Sequence, residues 1–100
     1  MKLSKSQHEK YRKALRGLRL NETDTWSFDE DIELGEGLIA NVKGWQEVQG
    51  HDDNMWWVAD YRDASAEVTL FSYNEEEDER TEIGYDKELT NEAINILKAA

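Results

Sequence analysis

The chain has no cysteine and no proline among its 100 residues. Without thiols it can form neither a disulfide nor a thiolate metal site, and without proline it has no stiff extended linker. No apolar run is long enough to cross a bilayer, and no secretory apolar region stands near the start, so the chain reads as a soluble cytoplasmic protein with no membrane partner. Catalytic signatures are missing as well. There is no serine in a nucleophile elbow and no glycine-rich phosphate loop, and neither His8 nor His51 has an evident carboxylate partner. Carboxylates are so abundant that no single pair of them is informative. The segment from Asp29 to Gly35 has the acids of a calcium loop, but its glycine falls one place late and Ala40 stands where a bidentate glutamate is required. His51-Asp52-Asp53-Asn54 has no second histidine at ligand spacing. Read this way, the chain is non-catalytic and holds no metal and no cofactor.

Basic residues are scarce beyond residue 20. Residues 21–100 hold 22 acids against five bases, whereas residues 1–20 hold seven bases against the single acid Glu9, and the whole carries a net charge of −11. A charge of that size keeps a protein soluble and repels nucleic acid over most of its surface. The asymmetry marks either a basic helix docked on its own acidic body or a phosphate-binding arm on a protein-binding body.

The periodicities describe one domain over residues 1–100. Ser4 with Gln7 and Ser6 with Glu9 form two overlapping capping boxes that open a helix reaching to about Leu20, the basic amphipathic segment 1–20. Tyr11, Ala14, Leu15 and Leu18 make its apolar stripe, and Lys10, Arg12, Lys13, Arg16 and Arg19 surround it. Residues 25–85 read as an antiparallel sheet. Trp26, Phe28, Ile32 and Leu34 alternate along the first strand, Gly35-Glu36-Gly37 turns the chain, and the second strand returns through Leu38, Ala40 and Val42. Gly44 is the expected site of a bulge. Turns are expected at Gly50–Asn54 and at Arg62–Ser65, on either side of a central strand, Met55–Tyr61, that carries large side chains on both faces. Further strands follow at Ala66–Tyr73 and Thr81–Tyr85. A last helix, residues 89–99, starts at Thr90 as N-cap with Leu89 stapled to Ile94.

The expected fold is α+β: a meander of four or five antiparallel strands with both terminal helices on one face. That face would bury Trp26, Phe28, Ile32, Leu34, Leu38, Ala40, Val42, Trp57, Tyr61, Val68, Leu70 and Ile83. The opposite face would carry Ile39, Trp45, Trp56, Val58, Phe71 and Tyr73. Exposed aromatics of this kind mark interfaces, so Trp45, Trp56, Phe71 and Tyr73 are the candidate partner-binding aromatics. The acidic run Glu75, Glu76, Glu77, Asp78 and Glu79 is the candidate docking surface for a basic partner. The expected function is a small acidic protein-binding domain of inhibitor, immunity or adaptor character, by analogy with its charge pattern. Two other readings stand beside it. Lys10, Arg12, Lys13, Arg16 and Arg19 would contact phosphates in a nucleic-acid-associated protein, and paired open faces would make a homo-oligomer.

Overall fold

A computed structural model describes residues 2–99; the outermost residues of the expected domain, 1 and 100, lie outside the described range. The order of elements is α1 (Lys5–Leu18), β1 (Asp24–Gly35), β2 (Leu38–Asp53), β3 (Trp56–Asn74), β4 (Glu79–Tyr85) and α2 (Lys87–Lys98). The strands form one antiparallel sheet in the order β1-β2-β3-β4. Both helices pack on the same face of this meander, so the α+β architecture with flanking terminal helices is the observed one.

Of the two capping boxes, Ser4 with Gln7 is the one that forms: Gln7 N–H donates to Ser4 Oγ, and Ser4 N–H donates back to Gln7 Oε1. The helix ends at Leu18, two residues earlier than expected. Its stripe puts Tyr11 and Leu15 in the core with no exposure at all. The second helix departs from expectation at its start. Asp86, not Thr90, is the N-cap, accepting from Leu89 N–H at 2.9 Å. Thr90 is buried one turn in, where its Oγ1 accepts the N–H of Val68 while Asp86 N–H donates to the Val68 carbonyl. These bonds seat α2 along the edge of β3. Ala64 and Ala66 are consequently buried although no strand pairs with them on that side.

Even-numbered positions of β1 and β2 face the helices. Phe28, Ile32, Leu34, Leu38, Ala40, Val42 and Val48 are buried from those strands, and Ala64, Ala66, Val68 and Leu70 join them from β3. Burying such side chains stabilises by about 1.5–3 kcal/mol each for the larger ones. Glu36 (φ 55°) and Gly37 (φ 71°) make the β1–β2 turn. Only glycine fits the second place, because a Cβ there would lie 2.9 Å from the Tyr73 carbonyl oxygen, whose own residue donates its N–H to Gly37.

Three expectations about the sheet are corrected. Residues Gly50–Asp53 and Arg62–Ser65 are strand, not turn, so β3 is one continuous element and the sheet has four strands. Ala64 explains the second case: it points into the core, and nothing between Arg62 and Ser65 requires a positive φ. The bulge is not at Gly44, which pairs regularly with Phe28 and Ala66. It lies opposite the Gln49–Gly50 step, where Gln49 pairs with Tyr61 and Gly50 with Ala59, leaving Asp60 as the extra residue. One extra residue inverts the faces beyond it. Trp57 and Ala59 therefore share the helix-side face, while Tyr61 turns to the open face and is exposed. A second irregularity at Ile83, between Glu82 and Gly84, likewise removes Ile83 from the core. Trp26 and Trp57 are only half-buried.

Candidate interaction surface

The stretch Met55–Tyr61 is not the centre of the sheet but the outer half of a long hairpin. β1 stops pairing at Asp24 opposite Val48, and β4 pairs with β3 only from Thr69 onward. Beyond those limits β2 and β3 continue alone as a two-stranded arm, which gives the molecule its 51 Å long axis. Thr23 closes the base of the arm. Its Oγ1 accepts from Gly50 N–H at 3.0 Å and its hydroxyl meets the Gly50 carbonyl at 3.2 Å. Both helices also end at this level, since Gln46 Nε2 donates to the Leu18 carbonyl and Lys98 Nζ reaches Asp63 at 3.6 Å.

The tip is a two-residue turn with Asn54 at φ 48° and Met55 at φ 75°. That pair of left-handed residues suits a right-twisted hairpin. Asparagine tolerates the conformation, but methionine pays about 1–2 kcal/mol for it. Met55 is nevertheless fully exposed, and Trp56 beside it is 76% exposed. On the open face the side chains from Trp45 outward run through Tyr61 and Val58 to Trp56, all exposed. On the helix side Trp57 lies across Gly50, where a Cβ would come within 2.4 Å of its ring. The Arg62 guanidinium sits 5.8 Å from the Trp57 ring centroid. Burial and then the neighbouring Arg19 charge hold the Arg62 pKa below its ordinary value.

Acids frame these apolar groups. Residues 47–63 contain Glu47, Asp52, Asp53, Asp60 and Asp63 against one base, Arg62. Glu47 and Asp63 stand opposite each other across the ladder on the open face. Their field is felt at Tyr61, whose phenol pKa is raised by Asp63, by burial and by Glu47, in that order. The bulge residue Asp60 reaches His51, Oδ2 to Nδ1, at 2.8 Å. His8 also meets a carboxylate, Glu92 Oε2, at 2.6 Å. Both histidines thus have acidic partners that sequence spacing does not reveal. Among the described residues no group of three or more histidines and carboxylates is placed to hold a metal ion.

The four sequence-predicted aromatics fall into two pairs. Trp45 and Trp56 belong to the arm and the sheet face at its base. Phe71 and Tyr73 lie at the opposite end and are half-buried. The Arg80 guanidinium covers Phe71 at 4.4 Å from its centroid and is clamped by both oxygens of Asp31 at 2.9 and 3.0 Å. Asn41 Nδ2 donates to that same carboxylate and to Asp29. Those bonds, Arg80 first and Asn41 second, lower the Asp31 pKa. The Tyr73 hydroxyl donates to Asp78. Glu75, Glu76, Glu77 and Asp78 form the β3–β4 turn, which Asn74 Oδ1 pins by accepting from Glu76 N–H, and Glu79 opens β4. This acidic run stands nearly the length of β3 away from Trp56, so the acids that surround the exposed tryptophan are those of the arm.

Of the five basic residues proposed for phosphate, Arg12 donates through Nε to Glu92 Oε1 at 2.6 Å and Arg19 donates to the Ala99 carbonyl. The basic helix is in this respect docked on its own domain. Lys10, Lys13 and Arg16 make no ion pair among the described residues. The residues that sequence reasoning passed over are Met55, Tyr61, Asp52, Asp53 and Asp60. The available signal was Asn54 between two alternating runs, a hairpin-turn mark, hidden by the polar cluster before it.

No helix among the described residues is long and apolar enough to cross a membrane. No protein-family model matches the chain, and neither the curated proteins nor the solved structures yielded a match.

Proposed function

We propose that the chain is a non-catalytic, cytoplasmic protein-binding domain whose recognition element is the hairpin arm. The observation that carries this reading is an unsupported two-stranded ribbon with Met55, Trp56, Val58 and Tyr61 exposed on it. An isolated hairpin is marginal in water, and large apolar groups grouped on a soluble surface mark a contact site. The flanking acids select the partner: a surface that offers an apolar recess framed by cations. Trp56 is its expected hot spot, and truncating such a residue costs about 2 kcal/mol or more, roughly thirtyfold in affinity. The Glu75–Glu79 turn, at the far end, adds to the long-range field that steers a basic partner toward the molecule.

The test is affinity capture from the source cells with three baits, eluted in rising salt. The wild type should retain a basic protein in stoichiometric amount, Trp56→Glu should lose it, and a bait with Glu75, Glu76, Glu77 and Glu79 changed to glutamine should keep it while releasing it at lower salt. Retention that is indifferent to Trp56→Glu would end the proposal.

A further inference from the structure

The outer edge of β1 is a second surface left without a partner. Residues Asp24 to Glu33 pair with β2 in unbroken register, and no strand pairs with β1 on its other side. Which backbone groups face outward follows from the ladder. Val68 turns its N–H and carbonyl to α2, away from β2, so Val42, opposite it, turns its own to β1, where it pairs with Glu30. Backbone groups alternate between the two sides of an antiparallel strand. The odd-numbered residues Ser27, Asp29 and Asp31 therefore present their N–H and carbonyl groups at the free edge. Among the described residues, the side chains that bond to the β1 backbone are Asp24, at Thr25 N–H, and Gln7, at the Gly35 carbonyl. The opposite edge of the sheet is closed by comparison. β4 has seven residues and an irregularity at Ile83, and beyond it α2 holds the backbone of β3.

The side chains along this edge set its chemistry. β1 holds the acids Asp24, Asp29, Glu30, Asp31 and Glu33 and no base. Arg80 matches the charge of Asp31, whereas Asp29, Glu30 and Glu33 make no ion pair among the described residues. Lys10 of α1 reaches the turn end of the edge, where Glu33, Glu36 and Glu75 outnumber it. On the helix side an open groove of about 320 Å³ runs between α1 and the edge, apolar at Ala14, Leu18 and Ile32. We infer that this edge takes up an extended segment of a partner protein as a fifth, antiparallel strand. Lysine or arginine side chains of that segment lie on the open face beside Asp29 and Glu33, and its apolar side chains lie on the helix side, over Ala14, Leu18 and Ile32. Main-chain bonds supply the pairing and alternate side chains the selectivity. A charged edge deters pairing with copies of itself. Here two β1 strands would set acid against acid, and the same acids favour a basic strand. The contact is separate from the arm and does not depend on it.

The probe is a capped octapeptide in which lysine and valine alternate, titrated by calorimetry and followed by residue-resolved amide hydrogen exchange. At saturation the amides of Ser27, Asp29 and Asp31 should exchange at least about tenfold more slowly, while those of Phe28 and Glu30, already in the ladder, change little. The same peptide N-methylated at its lysine amides should not bind, and neither should an octapeptide of the same composition with its lysines and valines in two blocks. Glu30→Lys combined with Glu33→Lys should weaken binding at least about tenfold; both side chains are exposed, so circular dichroism should match the wild type. Absence of binding, binding that leaves the three amides exchanging as before, equal binding of either control peptide, or indifference to the charge reversal would overturn the inference. Trp56→Glu separates it from the arm. Binding lost in that variant would place the peptide on the arm and overturn the edge, whereas edge protection kept in Trp56→Glu, beside protein capture that ignores the same substitution, would sustain the edge and remove the arm.

Discussion

Gln46 is the side chain whose replacement most sharply tests how the helix layer is fastened to the base of the arm. It is fully buried on the helix side of β2, next to Trp26 in the register. Its Nε2 donates to the Leu18 carbonyl at 2.6 Å, and its Oε1 accepts from Leu20 N–H at 3.4 Å. The Leu18 carbonyl is one of the last carbonyls of α1, which have no partner within the helix. Gln46→Met keeps length and approximate volume but removes both polar ends. A half-buried carbonyl then loses its donor, at a cost of about 1–3 kcal/mol, and the long bond from Leu20 adds little. The methionine recovers part of this by apolar transfer, so the net loss should be about 1–2 kcal/mol. With a urea m-value of about 1 kcal/mol/M for a small domain, the midpoint should fall by roughly 1–2 M with unchanged slope. Gln49→Met, exposed three residues on, is the control and should leave the midpoint in place. A Gln46→Met midpoint equal to or above the wild type would refute the reasoning, because it would show that the helix end needs no donor from the sheet.

The two glycines Gly17 and Gly44 should respond to alanine with opposite sign. At Gly17 a Cβ meets nothing within 4 Å, so the helix gains about 0.5–1 kcal/mol, read as a higher melting temperature. At Gly44 the Cβ would lie 2.0 Å from the Ser65 carbonyl oxygen and 2.8 Å from Ala66 Cα; backbone cannot yield as a side chain does, and the loss should reach or exceed the roughly 1–3 kcal/mol of an overpacked core. Acid should loosen the contact between the helices. Burial raises the Glu92 pKa, but hydrogen bonds from Arg12 and His8 outweigh it and leave it lowered. A folded pKa below the unfolded one gives stability that is present above the ordinary carboxylate value of about 4.3 and is lost as pH falls through the folded value; Glu92→Gln should flatten the fall in melting temperature between about pH 5 and 3. Alkali acts through Tyr11, whose pKa is raised by burial and then by Glu92 and Asp86. Its stabilisation is complete below the free phenol value of about 10 and is lost as pH rises above it, so Tyr11→Phe, which also gives up the 2.5 Å bond to the Leu89 carbonyl, should show a shallower decline above about pH 10.

Local rules carried the sequence reading well wherever one face meets one core. The α1 stripe, the alternation of β1, the turn at Glu36-Gly37 and the even-numbered core of β2 all follow from periods of 3.6 and two. Where a segment carried apolar groups on both faces the same rules failed. Tyr61 and Trp57 read as neighbours on one face, yet the extra residue Asp60 separates them, and no residue type in the stretch announces a bulge. Arg62–Ser65 read as a turn from its polarity, yet Ala64 alone points inward and α2 covers it. Thr90 read as an N-cap because its chemistry suits one, and it does receive a backbone N–H, but from Val68 of the sheet.

By itself the sequence determined the fold class, the helices and their buried stripes, the absence of thiol chemistry and the concentration of basic charge in the first helix, because each of these depends on residue identity and short-range period. Only the tertiary structure decided that Met55–Tyr61 is an arm and not a centre, since that depends on where β1 and β4 stop pairing. It also separated Trp56 from Glu75–Glu79 and laid Arg80 over Phe71. Strand register and the ends of pairing are set by contacts between residues far apart in the chain, and a one-residue shift exchanges the two faces; a pattern read along the chain does not contain that information.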